Sequence, residues 1–337
     1  MILRHFLTIA LALCGTLAAA APKPPTADEA LLKAHEAFRA GDELKLAKHA
    51  AALEGHVLEP YVEYWRLKLR IEELTAREAH QFLHRYAGSY LADRLRSDWL
   101  KELGKRAEWQ TFDLELAPLV QDDLEIRCHA WSSRLARGDD GAYGEAQAMW
   151  LEPKELPQGC AVLAEKMIAQ GRLTVGDVWQ RVRVLFESGQ LAAAKRALGY
   201  LPPEETPDER LLSQAAGNPE KLLASPPRNL DSRPVREMVR FAVVRLARSG
   251  PRAAAEVLVA PLGDRFPEAE RNSLWGRIAY EAARRHLPEA VQWYRRAGGA
   301  ELNDEQLAWK VRAALRAGPR AVHSQRTNRG YRRRRVC

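Results

Sequence analysis

Hydrophobic positions recur along this chain at spacings of three and four, broken by short polar stops. Ala30, Leu31, Ala34, Ala37 and Phe38 fall on one face, and Gly41-Asp42 ends that run. Leu44, Leu46, Ala47, Ala50, Ala51 and Leu53 form the next, closed by Gly55. Pro60 opens a stretch with Tyr61, Tyr64, Trp65, Leu67 and Leu69. Thr75 followed three residues later by Glu78 is a capping box, and it starts a helix with Phe82, Leu83 and Tyr86 that stops at Gly88. Leu91, Leu95, Trp99, Leu100 and Leu103 continue the pattern. Thr174 begins a helix carrying Val178, Trp179, Val182, Leu185 and Phe186. Paired helices are predicted over 234–249 with 251–262 and over 267–284 with 287–297, and a last helix over 303–317. Pro202-Pro203, Pro207 and Pro226-Pro227 mark loops.

A similar turn recurs: Phe38-Arg-Ala-Gly-Asp, Phe186-Glu-Ser-Gly-Gln, Leu246-Ala-Arg-Ser-Gly-Pro and Leu315-Arg-Ala-Gly-Pro. In the first three a helix ends at Gly and a second begins within a residue or two; at the fourth the pattern breaks. The spacing between turns is irregular, so the chain reads as a degenerate helix-pair array and not as a regular tetratricopeptide repeat. Small apolar residues let paired helices approach closely, and each pair must bury its remaining face on the next. The predicted fold is all-α, a TPR-like superhelical array of antiparallel helix pairs with a broad concave side. Composition agrees: among 337 residues, six Ile and eight Thr leave little for β-strands.

Both ends differ from this body. Arg4, the apolar run Phe6 to Leu13 and the small residues Ala18 to Ala21 have the layout of a secretory signal peptide, with cleavage expected after Ala20. That run is short for a transmembrane helix, and no later segment is long and apolar enough to span a bilayer. The expected division is a signal peptide at 1–20, a helix-repeat domain at 21–318 and an irregular Arg-rich tail at 319–337. In the tail the apolar period stops. Two readings compete there: a genuine basic tail for anionic wall or membrane polymers, and translation out of frame after Gly318, which is preferred because a helix pair starts and is cut off midway.

The net charge of +8 resides at those ends. Seven of the charges are Arg in 319–337 and one is Arg4, which leaves residues 22–318 balanced. A nucleic-acid partner is therefore not expected for the body. Of four Cys, Cys14 belongs to the signal and Cys337 is the last residue; Cys128 and Cys160 remain in a chain bound for an oxidising compartment. A disulfide between them would close a loop of about 30 residues and stabilise the fold by roughly 3–4 kcal/mol in the chain-entropy account. Two buried free thiols are the alternative.

Candidate chemistry is sparse. His80 and His84 are four apart on one predicted helix, but no third ligand is identifiable and no metal is expected. No phosphate loop and no nucleophile triad can be argued, and no cofactor is implied. Trp65, Trp99, Trp179, Trp275 and Trp309 fall at core spacing, so packing is their expected role, with sugar or peptide stacking open to a minority.

Two blocks carry a family resemblance. Residues Arg77 to Leu100, continuing through Leu103-Gly-Lys-Arg-Ala-Glu-Trp109, resemble the superhelical domain of the soluble lytic murein transglycosylases; so do Leu156-Pro-Gln-Gly-Cys160 and Gly171 to Trp179. The resemblance covers about residues 28–317. It implies a U-shaped helical solenoid in the periplasm with peptidoglycan as partner. In that family a separate lysozyme-like domain cleaves the MurNAc–GlcNAc bond without water, using one Glu as acid and then base to give a 1,6-anhydro product. The catalytic Glu there is followed by Ser. Glu187-Ser188 is the one such pair here, directly before the turn at Gly189, and it reads as a helix end. No catalytic residue is carried over, and the chain is expected to be truncated and inactive alone. The alternative is a periplasmic helix-repeat adaptor that binds a protein or glycan.

Overall fold

A computed structural model describes residues 26–259 and 262–318; the signal peptide expected at 1–20 and the tail at 319–337 lie outside the described residues. Among the described residues there are eighteen α-helices and no strand. They fall into two compact units that meet in sequence at Asp122–Asp123.

The first unit holds α1 (Ala27–Arg39), α2 (Glu43–Ala50), α3 (Glu59–Leu69), α4 (Ala76–Arg85), α5 (Tyr90–Lys105) and α6 (Trp109–Leu116). Ala30, Ala34 and Ala37 line one face of α1 and are buried, and their small size lets α2 and α3 pack directly against it. The predicted run to Leu53 is α-helical only to Ala50; residues 51–53 tighten into a 3-10 turn that buries Leu53. The predicted capping box is present on α4: Thr75 Oγ1 accepts from the Glu78 amide, and the Glu78 carboxylate accepts from the Thr75 amide. Tyr64 on α3 donates to Asp98 on α5 at 2.8 Å, and Lys68 pairs with the same carboxylate at 2.7 Å. Asp98 of α5 thus takes two donors from α3, one turn apart, and burial pushes the Tyr64 hydroxyl up to about 12.

The second unit contains α7 (Leu124–Ala136), α8 (Gly141–Trp150), α9 (Gln158–Ala169), α10 (Val175–Ser188), α11 (Leu191–Leu198), α12 (Glu209–Gly217), α13 (Pro219–Ala224), α14 (Arg233–Ser249), α15 (Pro251–Val259), α16 (Glu268–Arg284), α17 (Ala290–Arg296) and α18 (Asp304–Ala317). The hairpins α10–α11, α14–α15 and α16–α17 pack internally, and α14 also packs against α10, α12, α13 and α16. Gly189 ends α10 at φ 78°, a left-handed turn that Gly adopts without a Cβ clash. The similar turn at Gly250 takes φ −141° instead, because Pro251 follows and excludes helical backbone from the residue before it. The predicted start of α17 at 287 moves to Ala290, since Pro288 lies in the turn.

Three of the five tryptophans expected in the core are buried: Trp99, Trp179 and Trp275. Trp65 and Trp309 are half-buried. Trp65 stacks on Phe38 at 5.6 Å and tilts against His35 at 5.0 Å, joining α3 to α1. Trp309 stands on α18, where Arg312 covers its ring at 5.0 Å.

Candidate functional site

The densest chemistry in the second unit runs across α10, α14 and α16, where arginines of one helix meet acceptors of the next. On α10, Arg183 makes a two-pronged ion pair with Glu237 of α14, with Nε 3.0 Å from each carboxylate oxygen. One residue earlier on α14, Arg236 reaches Glu270 of α16 at 3.1 Å and also donates to the Leu230 carbonyl at 2.8 Å. Arg240, a turn further on, donates to Ser273 Oγ at 2.9 Å and lies 3.8 Å from the Glu187 carboxylate of α10. Between these pairs Phe186 and Phe241 stack face to face, 3.7 Å between centroids. The seam therefore alternates charge pair and aromatic pair, each two-pronged contact fixing the rotation of its helices.

At the far end Arg277 of α16 pairs with Glu281 at 2.9 Å and donates to the Glu187 carbonyl at 3.3 Å. Arg248 of α14 donates to that same carbonyl. Two guanidiniums thus cap the C-terminal end of α10, where unpaired carbonyls favour positive charge. Glu187 and Ser188 are the last two residues of α10, so the one Glu-Ser pair is a helix end, and its backbone is a hydrogen-bond acceptor for neighbours.

Three carboxylates are buried among the described residues, and each is in an ion pair: Asp98 with Lys68, Glu237 with Arg183, and Glu281 with Arg277. Each of these carboxylates is thus engaged in joining helices or side chains of the scaffold. Another buried cation, Arg181, has carbonyls for partners: it donates to Trp150 O at 2.5 Å, Lys154 O at 2.9 Å and Glu152 O at 3.3 Å, and lies over the Trp150 ring. It straps the loop after α8, and burial lowers its pKa.

The two histidines do not converge. His80 Nε2 is 2.9 Å from Glu115 of α6, a carboxylate that also takes Arg96 at 3.2 Å, while His84 is exposed. Among the described residues no group of three or more His, Cys, Asp or Glu is placed to hold a metal ion. Cys128 of α7 and Cys160 of α9 face each other sulfur to sulfur, both fully buried, with Cα atoms 5.0 Å apart. Sequence reading missed the arginine–glutamate seam. Its partners are 34 to 54 positions apart, and each half alone looks like an ordinary solvated helix face.

No family model matches the chain. It is similar to the soluble lytic murein transglycosylase of Salmonella typhimurium, with 23% identity over 270 residues, 79% of this chain and 39% of the relative. Among solved structures it is similar to an inactive mutant of the lytic transglycosylase Slt from Pseudomonas aeruginosa, at TM-score 0.57 and 23% identity over 85% of this chain and 47% of that one. It is also similar to the 70 kDa soluble lytic transglycosylase from Escherichia coli, at TM-score 0.52 and 19% identity over 87% and 45%. The chain thus resembles the soluble lytic murein transglycosylases over most of its own length, and spans less than half the length of the relatives it matches.

Proposed function

We propose that this chain is the helical, non-catalytic scaffold of a lytic transglycosylase-type protein, exported to the periplasm and acting in peptidoglycan turnover. The observation that carries this reading is the correspondence of its helical array, over 85% of its length, to a solved lytic transglycosylase. The state of the carboxylates supports the non-catalytic part: the acids buried among the described residues are all paired with cations, and the one Glu-Ser pair spends its carbonyl on Arg248 and Arg277. Export accords with the signal-like N-terminus and with the apposed, buried Cys128 and Cys160, which an oxidising compartment would keep as a disulfide. No described helix is long and apolar enough to cross a membrane.

The test is to incubate the purified protein with murein sacculi, measuring cosedimentation and the release of 1,6-anhydro-muropeptides. Cosedimentation without release is expected. Release of anhydro products would overturn the non-catalytic assignment, and failure to cosediment would overturn the link to peptidoglycan.

A further inference from the structure

Along α14 the arginines change character. Arg236 and Arg240 each reach an acceptor on a neighbouring helix, at Glu270 and at Ser273 with Glu187. Toward the C-terminal end this matching stops. Among the described residues, exposed Arg245 makes no ion pair or hydrogen bond, and Arg248 has one acceptor, the main-chain carbonyl of Glu187. Three residues apart, the two lie on one face of the helix. Together with Asn218, Glu220 and Ser249 they line an open cleft of about 460 Å³ between the α12–α13 turn and the end of α14. Glu220 stands on that cleft outside ion-pair range of either arginine.

The ground behind them is also short of negative charge. Glu281 alone answers three arginines, at 2.9 Å from Arg277, 3.0 Å from Arg285 and 3.9 Å from Arg284. The Nε of Arg277 is buried without a hydrogen-bond partner. The Arg248 pKa is lowered, by burial first and then by repulsion from Arg277. Glu281 and Glu187 also act on Arg248, but the cluster holds more cations than acids, and mutual repulsion among the arginines favours an added anion. Arg245 presents a guanidinium fork to this solvent-open cleft, a bidentate donor of the kind that matches carboxylate and phosphate oxygens. Arg248, with Nη2 held on the Glu187 carbonyl, adds its remaining N–H groups on the same wall.

We propose that this cleft is a binding site for a compact oxyanion, clasped by Arg245 and Arg248. The group is either a carboxylate at the end of a peptide or a free phosphate, which present the same paired acceptor oxygens. The site stands on its own geometry and does not depend on the peptidoglycan reading.

Titration calorimetry at low salt on the purified protein tests it with three probes: inorganic phosphate, the dipeptide alanyl-alanine with a free carboxylate, and the same dipeptide amidated. Saturable binding of phosphate or of the free dipeptide is expected, and whichever binds names the source. Arg245→Gln, an exposed change that leaves the fold intact, and Arg248→Lys, which keeps charge but loses the fork, should each weaken binding by about tenfold, the loss expected for one charge-assisted contact. Arg39→Gln in the first unit should leave it unchanged. The proposal is overturned if neither oxyanion binds, if the sole response is an equal one to the free and amidated dipeptides, or if both cleft variants bind like the parent.

Discussion

Arg183 and Glu237 stand 54 positions apart in sequence and meet in a two-pronged ion pair that joins α10 to α14. The Glu237 carboxylate is 3% exposed, so its charge is supported by this partner and not by water. Removing one member of such a pair costs far more than the pair contributes, because the other charge stays buried alone.

Arg183→Met is therefore expected to destabilise the second unit by about 3 kcal/mol, in the range for a broken buried pair. Arg183→Leu combined with Glu237→Leu should recover most of that loss, since no charge is then stranded. Urea unfolding followed by circular dichroism reads both. A double variant no more stable than the single one would show that the pair is worth more than hydrophobic packing at this seam.

The contrast between this pair and the helices it joins explains what was legible in the sequence. Periodicity and stop signals are local: Thr75 with Glu78, Gly41 after Phe38 and Pro60 near the start of α3 each act within one turn of where they stand. Helices and their hairpin partners could be read for that reason. A boundary slipped at Pro288 before α17, whereas the break between Ser249 and Pro251 falls where the pattern placed it. The arginine–glutamate seam and the Arg245–Arg248 cleft depend on which helix faces which, and a charged residue on an amphipathic helix carries no mark of its future partner. The half-burial of Trp65 and Trp309 was hidden for the same reason, since core spacing identifies a face but not how completely a neighbour covers it.

The capping box of α4 gives a pH-dependent prediction. The Glu78 carboxyl is held below its usual value by hydrogen bonds from the Thr75 side chain and backbone, and then by Arg70. A depressed carboxylate contributes stability that is present above the unfolded pKa and lost as pH falls through the folded one. Thr75→Ala should cost about 1 kcal/mol near neutral pH, typical of a lost N-cap. The difference in Tm between parent and variant should narrow as pH is lowered through the acid range, where Glu78 becomes protonated and its half of the box weakens. A gap that stays constant to low pH would assign the effect to the hydroxyl alone.

Cys128 of α7 and Cys160 of α9, 32 positions apart and both fully buried, face each other sulfur to sulfur. Replacing both by Ala should lower stability by about 3 kcal/mol, with a reductant having the same effect on the parent and none on the variant. Mass spectrometry after thiol alkylation under denaturing conditions checks the pairing directly. Alkylation of both cysteines in unreduced protein from an oxidising compartment would show that the thiols are free.

Gly159 precedes Cys160 and lies against a buried ring. A Cβ built on Gly159 would stand 2.5 Å from Nε2 and 2.7 Å from Cε1 of His129, which is 5% exposed and one residue after Cys128. The absence of a side chain at 159 is thus what lets α9 approach α7 closely enough for the two sulfurs to face each other. Gly in a helix is normally a weakness, so Ala at an exposed helical glycine would stabilise by up to about 1 kcal/mol. Here overpacking should win, and Gly159→Ala is expected to destabilise by about 1–3 kcal/mol. The strain falls on the same helix pair that the sulfurs join, so the variant should also form the Cys128–Cys160 bond more slowly on reoxidation from the reduced, unfolded chain. Gly144→Ala on α8 is the control, because nothing lies within 4 Å of a Cβ there and helix propensity alone should act. If Gly159→Ala and Gly144→Ala raise the Tm alike, the His129 ring yields without cost, and close packing of α7 on α9 is not what positions the two cysteines.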